Sequence, residues 1–380
     1  AHGAGLSQYG ALGRAKAGQS WTDIVAHYYA GTTVGDIDPQ RVVRVLLATA
    51  HKPTATEPAR VVAHGPWRSA SFPEQIVPFP TGSFAELKQL AGVWTVDVVD
   101  ATGVLLARTP ATDLLMEPAD ASTIFYMKFR DSLRRYDRYR GSMRLRGTAD
   151  GVQAINVVSM DDYLRGVVPA EVPASWPKEA VRAQAVAARG YVLSKLKTTG
   201  LWDVKPDSSH QVYGGVNIED ARATDAVAHT SGKVVVRISD GKPVETVFHA
   251  IAGGHTEHSE YVWPSSTGVP GSNVSWLRGR DDSKPGGGNY EDGAAGYSWS
   301  SGQVSMGMLS VIMSADSRTD VGLISSITFD RGVSGRVYRA TLVGSKGTKY
   351  VSGGIFKNVY NKNPVAGTLR STLFYLTKVN

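Results

Sequence analysis

The chain has 380 residues, 42% of them hydrophobic, enough to build a sizeable core in one large or two ordinary domains. It lacks cysteine, which excludes a disulfide framework and any thiolate metal site. The formal net charge is +7, yet there is no nucleic-acid motif and no dense Lys/Arg run, so the surplus suits an anionic envelope better than a nucleic acid.

Other bulk features narrow the class. Charged residues make up only 20% and Gly is abundant at 41, which favours a loop-rich, β-rich fold. No apolar run reaches the roughly 18 residues of a membrane span. The chain opens on Ala, which reads as a processed or trimmed start with any signal or anchor removed.

In chain order, Gly3, Gly5, Gly10 and Gly13 let the backbone fold tightly around His2, Ser7, Gln8 and Tyr9. A helix is expected from about Gln8 to Ala17 with Ser7 as cap, and a second from Trp21 to Tyr29 capped by Ser20. Alternation and β-branching predict strands at Arg41–Ala50, Arg60–Ala63, Val93–Asp100, Ile124–Phe129, Ser142–Arg146 and Ala154–Val158. Val104–Arg108 is expected to pair with Val93–Asp100 across Ala101-Thr-Gly103, and Phe84–Leu90 reads as a short helix. Pro66–Pro80 reads as loop. The densest basic stretch, Asp131–Arg146, alternates polar and apolar residues and reads as a solvated strand face.

The clearest helix lies within Pro177–Leu193. Pro177 suits a first turn, with Ser175 or Trp176 able to cap, and Glu179 places negative charge near the positive helix end. Val181, Ala185, Ala188 and Val192 form one buried stripe, and Arg182 and Arg189 share a face beside it. Just before it, Glu171 stands in Pro169-Ala-Glu-Val-Pro173, a turn stiffened by proline on both sides. The residues alone leave two readings open. Glu171 is either a solvated loop acid or a partly buried one whose raised pKa suits general-acid work.

Beyond this, Asn217–Thr230 and Gln303–Ser314 read as helices. Lys233–Ile238, Ile324–Asp330, Arg336–Val343 and Tyr350–Val351 read as strands. His249, His255 and His258 lie near Glu257 and Glu260. The cluster has a metal-like composition but not the HExxH spacing, so polar lining or a hydrogen-bonded turn is the alternative. Loop aromatics around Tyr297-Ser-Trp299 suit sugar stacking and ordinary packing equally.

The run DDYLRGVVPAEVP…WPKEAVRAQAVAARGY, from Asp161 to Tyr191, resembles the signature of the SpoIID/LytB family of bacterial cell-wall proteins. The N-terminal HGAGLSQYGA…YYAGT resembles a family motif that in many relatives follows a segment like Leu369–Leu376. Here it opens the chain, which implies circular permutation with the two chain ends close together. The resemblance implies an α+β, β-rich single SpoIID-like domain, one continuous unit, with Ser352–Leu376 as its closing strands. Residues 1–35 would complete the core, 36–158 would form a β-rich lobe, and 159–380 the catalytic core. It implies that Glu171 is the catalytic acid of a peptidoglycan lytic transglycosylase and that Arg189 is a second functional position. A guanidinium close to Glu171 would hold its carboxylate ionised, so Arg189 is expected to bind a substrate group or a neighbouring acid instead. His2, Gln8 and Tyr9 would enter the same cleft, with His249, His255, Gln211 and Tyr213 as further substrate contacts. His210 stands where some relatives carry a zinc-binding Cys, and a lone His cannot hold a structural zinc. No metal or cofactor is implied. The implied partners are peptidoglycan glycan strands and a cell-wall amidase, with no nucleic acid, and the implied location is exported, at the bacterial cell wall. Non-catalytic amidase enhancement and plain glycan hydrolysis are the rival activities.

Overall fold

Residues 2–129, 136–363 and 367–376 are described by the computed structural model of the chain, a strand-rich α+β fold. Two compact units are present, one made of Asp36–Val234 and the other of Ala1–Gly35 with Val235–Asn380. No helix among the described residues is long and apolar enough to cross a membrane.

The contiguous unit is built on two sheets. One has six strands, in the order Arg138–Tyr139, Ile124–Met127, Ala59–His64, Phe84–Leu90, Val93–Val99 and Leu105–Pro110. The other has five, in the order Val42–His51, Val152–Ser159, Ser142–Gly147, Asp113–Pro118 and Trp67–Arg68. Alternate residues such as Val61, Ala63, Val96, Val98, Leu114, Met116, Leu145 and Ile155 are fully buried. The expected pairing of Val104–Arg108 is present as Leu105–Pro110 running antiparallel to Val93–Val99.

Phe84–Leu90 is a strand and not the expected helix. It is paired on both sides, with Ala59–Val62 and with Val93–Val99. Its Ala, Glu, Leu and Lys favour helix intrinsically, but Ala85 and Leu87 point into the core at a period of two, and burial overrides propensity. The expected loop Pro66–Pro80 carries the short strand Trp67–Arg68. In the basic stretch, Asp131–Arg135 lies outside the described residues. Arg140 and Arg144 spend their charge on Glu219 and Asp113, 2.7 and 2.8 Å away.

Three helical segments follow the last strand of the five-stranded sheet. Ser159 ends that strand and caps Met160–Arg165, its hydroxyl accepting from the Asp162 N–H. A single turn, Val168–Glu171, comes next, with Pro169 in its opening positions. The long helix is Lys178–Leu193. Its N-cap is Pro177, and neither Ser175 nor Trp176 supplies a side-chain cap. Val181, Ala185, Ala188 and Val192 are all at least 98% buried, and each valine contributes about 1.5–3 kcal/mol by leaving water. The expected helix at Asn217–Thr230 is split into the 3-10 turn Gly215–Ile218 and the helix Ala221–His229.

The second unit joins residues far apart in sequence. Ser7 and Ser20 cap the helices Gln8–Lys16 and Trp21–Tyr28, the latter with a full capping box. Leu6–Ser7 pairs in parallel with Phe248–His249. Ile324–Arg331, Val337–Gly344 and Gly347–Ser352 form an antiparallel sheet. Met306–Ser314 and Gly353–Tyr360 pack over it around Leu309, Ile312, Phe356, Val359 and Phe374. Ser352–Leu376 was expected to close the fold with strands. Instead Ser352 caps Gly353–Tyr360, because Phe356, Val359 and Tyr360 fall on one helical face and bury there. Residues 367–376 form no strand. The expected closeness of the chain ends involves residues 1 and 377–380, outside the described residues.

Candidate active site

Glu171 ends the single turn Val168–Glu171, where the N–H groups of Glu171 and Val172 bond back to the carbonyls of Val167 and Val168. Pro173 follows at once and stops the helix. The turn is fixed from beneath by Gly166, whose carbonyl accepts from the Gly214 N–H at 2.8 Å. A Cβ on Gly166 would lie 2.7 Å from the Tyr213 ring and 2.8 Å from the Gly215 nitrogen, so only glycine admits this approach.

The Glu171 side chain is half-buried. Burial pushes its pKa from 4.5 up to about 7, opposed by the Val212 N–H that bonds the carboxylate. The Tyr163 phenol lies close enough for the Glu171 charge to act on it. The Glu171 carboxyl is therefore divided between its two protonation states near neutral pH, so it can give up a proton and take one back.

Arg189 is fully buried and faces elsewhere. Its guanidinium bonds Asp161 at 2.9 Å and the Lys233 carbonyl at 3.0 Å. Burial works against its charge and Asp161 offsets that. Of the two roles expected for it, holding a neighbouring acid is the one the geometry takes. Gln211 and Tyr213 are also buried. The Tyr163 hydroxyl donates to Gln211 at 3.3 Å, the Tyr213 hydroxyl donates to Asn156 at 2.7 Å, and the two tyrosine rings stack 5.0 Å apart. These contacts build the floor beneath the Glu171 turn and do not offer side chains to a ligand. Asp161, Tyr163 and the Val212 N–H were missed by sequence reasoning. The run Met160-Asp-Asp-Tyr-Leu164 was the available signal, since Met160, Tyr163 and Leu164 fall at i, i+3 and i+4 and bury together.

The remaining candidates belong to the other unit. Gln8 is buried, and the Tyr9 N–H bonds the Ala250 carbonyl at 3.0 Å. The His2 Nδ1 accepts from the Ala4 N–H, so its Nε2 carries the proton and donates to the Phe248 carbonyl at 3.0 Å. His2 retains exposed surface, yet its ring lies against those of His249 and Trp263, and desolvation brings its pKa down to about 4. His249 is buried and donates from Nδ1 to the Ala4 carbonyl at 3.0 Å. His255 is half-buried, its Nδ1 2.6 Å from the Thr256 carbonyl.

No three His, Asp or Glu side chains gather at metal-holding distance among the described residues. Both acids of the 255–260 cluster are occupied. Glu257 accepts from the Val333 and Ser334 N–H groups and the Ser334 hydroxyl, organising the turn Gly332–Arg336. Glu260 receives both terminal nitrogens of Arg278, at 2.7 and 2.9 Å. Glu291 is likewise buried beneath the N-terminal motif, taking the Ser7 hydroxyl and the N–H groups of Ala252, Gly253 and Gly254. A buried carboxylate without such donors would cost several kcal/mol.

Glu171 is thus one half-buried acid on a short turn, beside a long small-residue helix. Residues 148–236, Glu171 among them, match the model of the stage II sporulation protein family, SpoIID. The chain is 39% identical over 121 residues to the amidase enhancer of Bacillus subtilis, covering 32% of this chain and 15% of that one. It is 30% identical over 131 residues to stage II sporulation protein D of the same organism, covering 30% and 38%. An uncharacterized protein of Brachyspira hyodysenteriae is 36% identical over 128 residues, covering 33% and 34%. Each match thus spans well under half of the relative's length.

Proposed function

We propose that this protein is a peptidoglycan lytic transglycosylase in which Glu171 acts first as general acid and then as general base. The SpoIID match and the similarity to an amidase enhancer support a cell-wall role and, with it, a location outside the bacterial cytoplasm. The observation that carries the finer reading is the carboxyl of Glu171, raised by burial to about 7. A hydrolase of the usual kind needs a pair of acids about the scissile bond. A single acid suffices when the substrate supplies its own nucleophile.

In the proposed step Glu171 protonates the glycosidic oxygen as its bond to C1 of N-acetylmuramic acid breaks. The carboxylate then takes the proton of the C6 hydroxyl of that sugar, and the C6 oxygen bonds C1 to close a 1,6-anhydro ring. The carboxyl begins and ends protonated and no water is consumed. Purified glycan strands incubated with the protein and with its Glu171→Gln variant test this. Anhydro-muramic ends that depend on Glu171 are expected, whereas new reducing ends would indicate hydrolysis. The similarity to an amidase enhancer favours a second reading, a wall-binding protein that stimulates an amidase without cutting glycan. Amidase stimulation with no glycan cleavage by either form would establish it.

A further inference from the structure

A cavity of about 450 Å³ lies wholly within the unit formed by residues 1–35 and 235–380, a size that suits a small ligand. Among the described residues that line it, Lys357 and Arg370 are the charged side chains and none is a carboxylate. Neither cation has an ion-pair or hydrogen-bond partner among the described residues, although ion pairs are plentiful elsewhere in the chain. Lys357 stands on the helix Gly353–Tyr360, whose opening residues, Ser352 and Gly354, also face the cavity. The positive end of that helix therefore adds to the two side-chain charges. Trp263 lines the same space with 46% of its surface exposed, next to Tyr261, which is held by stacking on Tyr338 at 4.7 Å. An exposed indole beside hydrogen-bonding groups is a platform for the apolar face of a sugar ring.

We propose that this cavity binds a saccharide bearing one anionic group, a carboxylate or a phosphate, with its ring on Trp263 and its anion between Lys357 and Arg370. A neutral sugar would use the indole but leave both cations unpaired. The choice of a sugar rests on the reading of the protein as a wall-glycan protein. The site itself does not involve Glu171.

The test is calorimetric titration of the Glu171→Gln protein, which cannot turn over if Glu171 is the acid. One pair of probes is a tetrasaccharide of alternating N-acetylmuramic acid and N-acetylglucosamine against neutral chitotetraose. The other is N-acetylglucosamine 6-phosphate against N-acetylglucosamine. At least one anionic probe is expected to bind on the order of tenfold more tightly than its neutral counterpart, and the pair that does so identifies the carboxylate or the phosphate. Lys357→Gln and Arg370→Gln are each expected to remove most of that preference and leave neutral binding unchanged. Trp263→Ala should weaken both. Equal affinity within both pairs, or a preference that survives the Lys357→Gln/Arg370→Gln double variant, overturns the assignment. Arg370 is exposed, so its variant remains informative should the Lys357 variant unfold. Glycan cleavage that persists in Glu171→Gln would refute the catalytic reading alone, whereas Glu171-dependent cleavage without anion preference would refute the cavity alone.

Discussion

The behaviour of Glu171 with pH follows from the sign of its shift. Its pKa is about 7 in the folded protein against an ordinary 4.5. Below 4.5 the group is protonated folded or unfolded, and burial carries no ionic cost. Between 4.5 and about 7 the unfolded chain ionises while the folded one keeps its proton, so stability falls across that window by on the order of 2–3 kcal/mol and levels off above it. Glu171→Gln lacks that ionisation. It is therefore expected to match the parent near pH 4 and to exceed its unfolding free energy by that amount at pH 8, measured by urea denaturation at both pH values. The same variant should lose about 10²- to 10⁴-fold in glycan cleavage, and parent kcat/KM should drop about tenfold per pH unit above 7. Arg189 tests a different role. Removing one partner of a buried ion pair costs about 3–5 kcal/mol, so Arg189→Gln should lower unfolding free energy by about 3 kcal/mol or more with little change in KM among the molecules that fold. A raised KM with unchanged stability would mean that the guanidinium touches substrate. Flanking prolines made Glu171 conspicuous in the sequence. The partner of Arg189 was not legible, because Asp161 lies 28 residues away and only the docking of one helix on another brings them together.

At the level of elements, the same division between local and distant signals explains what could be read. The helices capped by Ser7 and Ser20 and the stripe of Lys178–Leu193 are written in neighbouring residues, and they are present with ends shifted by a residue or two. Phe84–Leu90 was misread because its composition and its alternation disagree, and only pairing on both sides decides between them. The closing segment was misread for the converse reason, since the helical face of Gly353–Tyr360 has meaning only against Leu309 and Ile312. The glycines near the N-terminus were read as freedom for tight folding around functional side chains. Gly3, with φ of +99°, and Gly5 use that freedom, and close packing demands glycine as well. Gly5 has φ of +70°, and a Cβ there would collide with the Val247 carbonyl. Gly166 plays the equivalent part beneath Glu171. Gly166→Ala is expected to cost about 1–3 kcal/mol through overpacking on Tyr213. Because it displaces the turn, it should also lower cleavage well beyond the loss in folded protein, which comparison of activity with the fraction folded by circular dichroism will resolve. Activity that merely tracks the folded fraction would show that the Glu171 turn does not depend on this contact.

Across the whole molecule, chain continuity separates the two units. The Val212 N–H that bonds Glu171, and Tyr163, whose phenol feels the Glu171 charge, lie within Asp36–Val234, which is one uninterrupted stretch with two sheets and its own buried interior. The other unit needs both ends of the chain. Its buried Asp282 is held by Arg14 and Tyr28, and its buried Glu291 by Ser7, across more than 250 residues in each case. Without residues 1–35 these carboxylates would stay buried with donors missing, at several kcal/mol each. A fragment of residues 36–238, which keeps the Lys233 carbonyl bonded to Arg189, is therefore expected to fold alone with a cooperative melt. It should also retain a Glu171 pKa near 7, measured from the side-chain carboxyl chemical shift in carbon-13 NMR. A chain lacking residues 1–35 should protect amides of 36–234 from hydrogen exchange while those of 235–380 exchange freely. An unfolded fragment, or a Glu171 that titrates near 4.5 within a folded one, would mean that the surroundings setting its pKa extend beyond this stretch of chain.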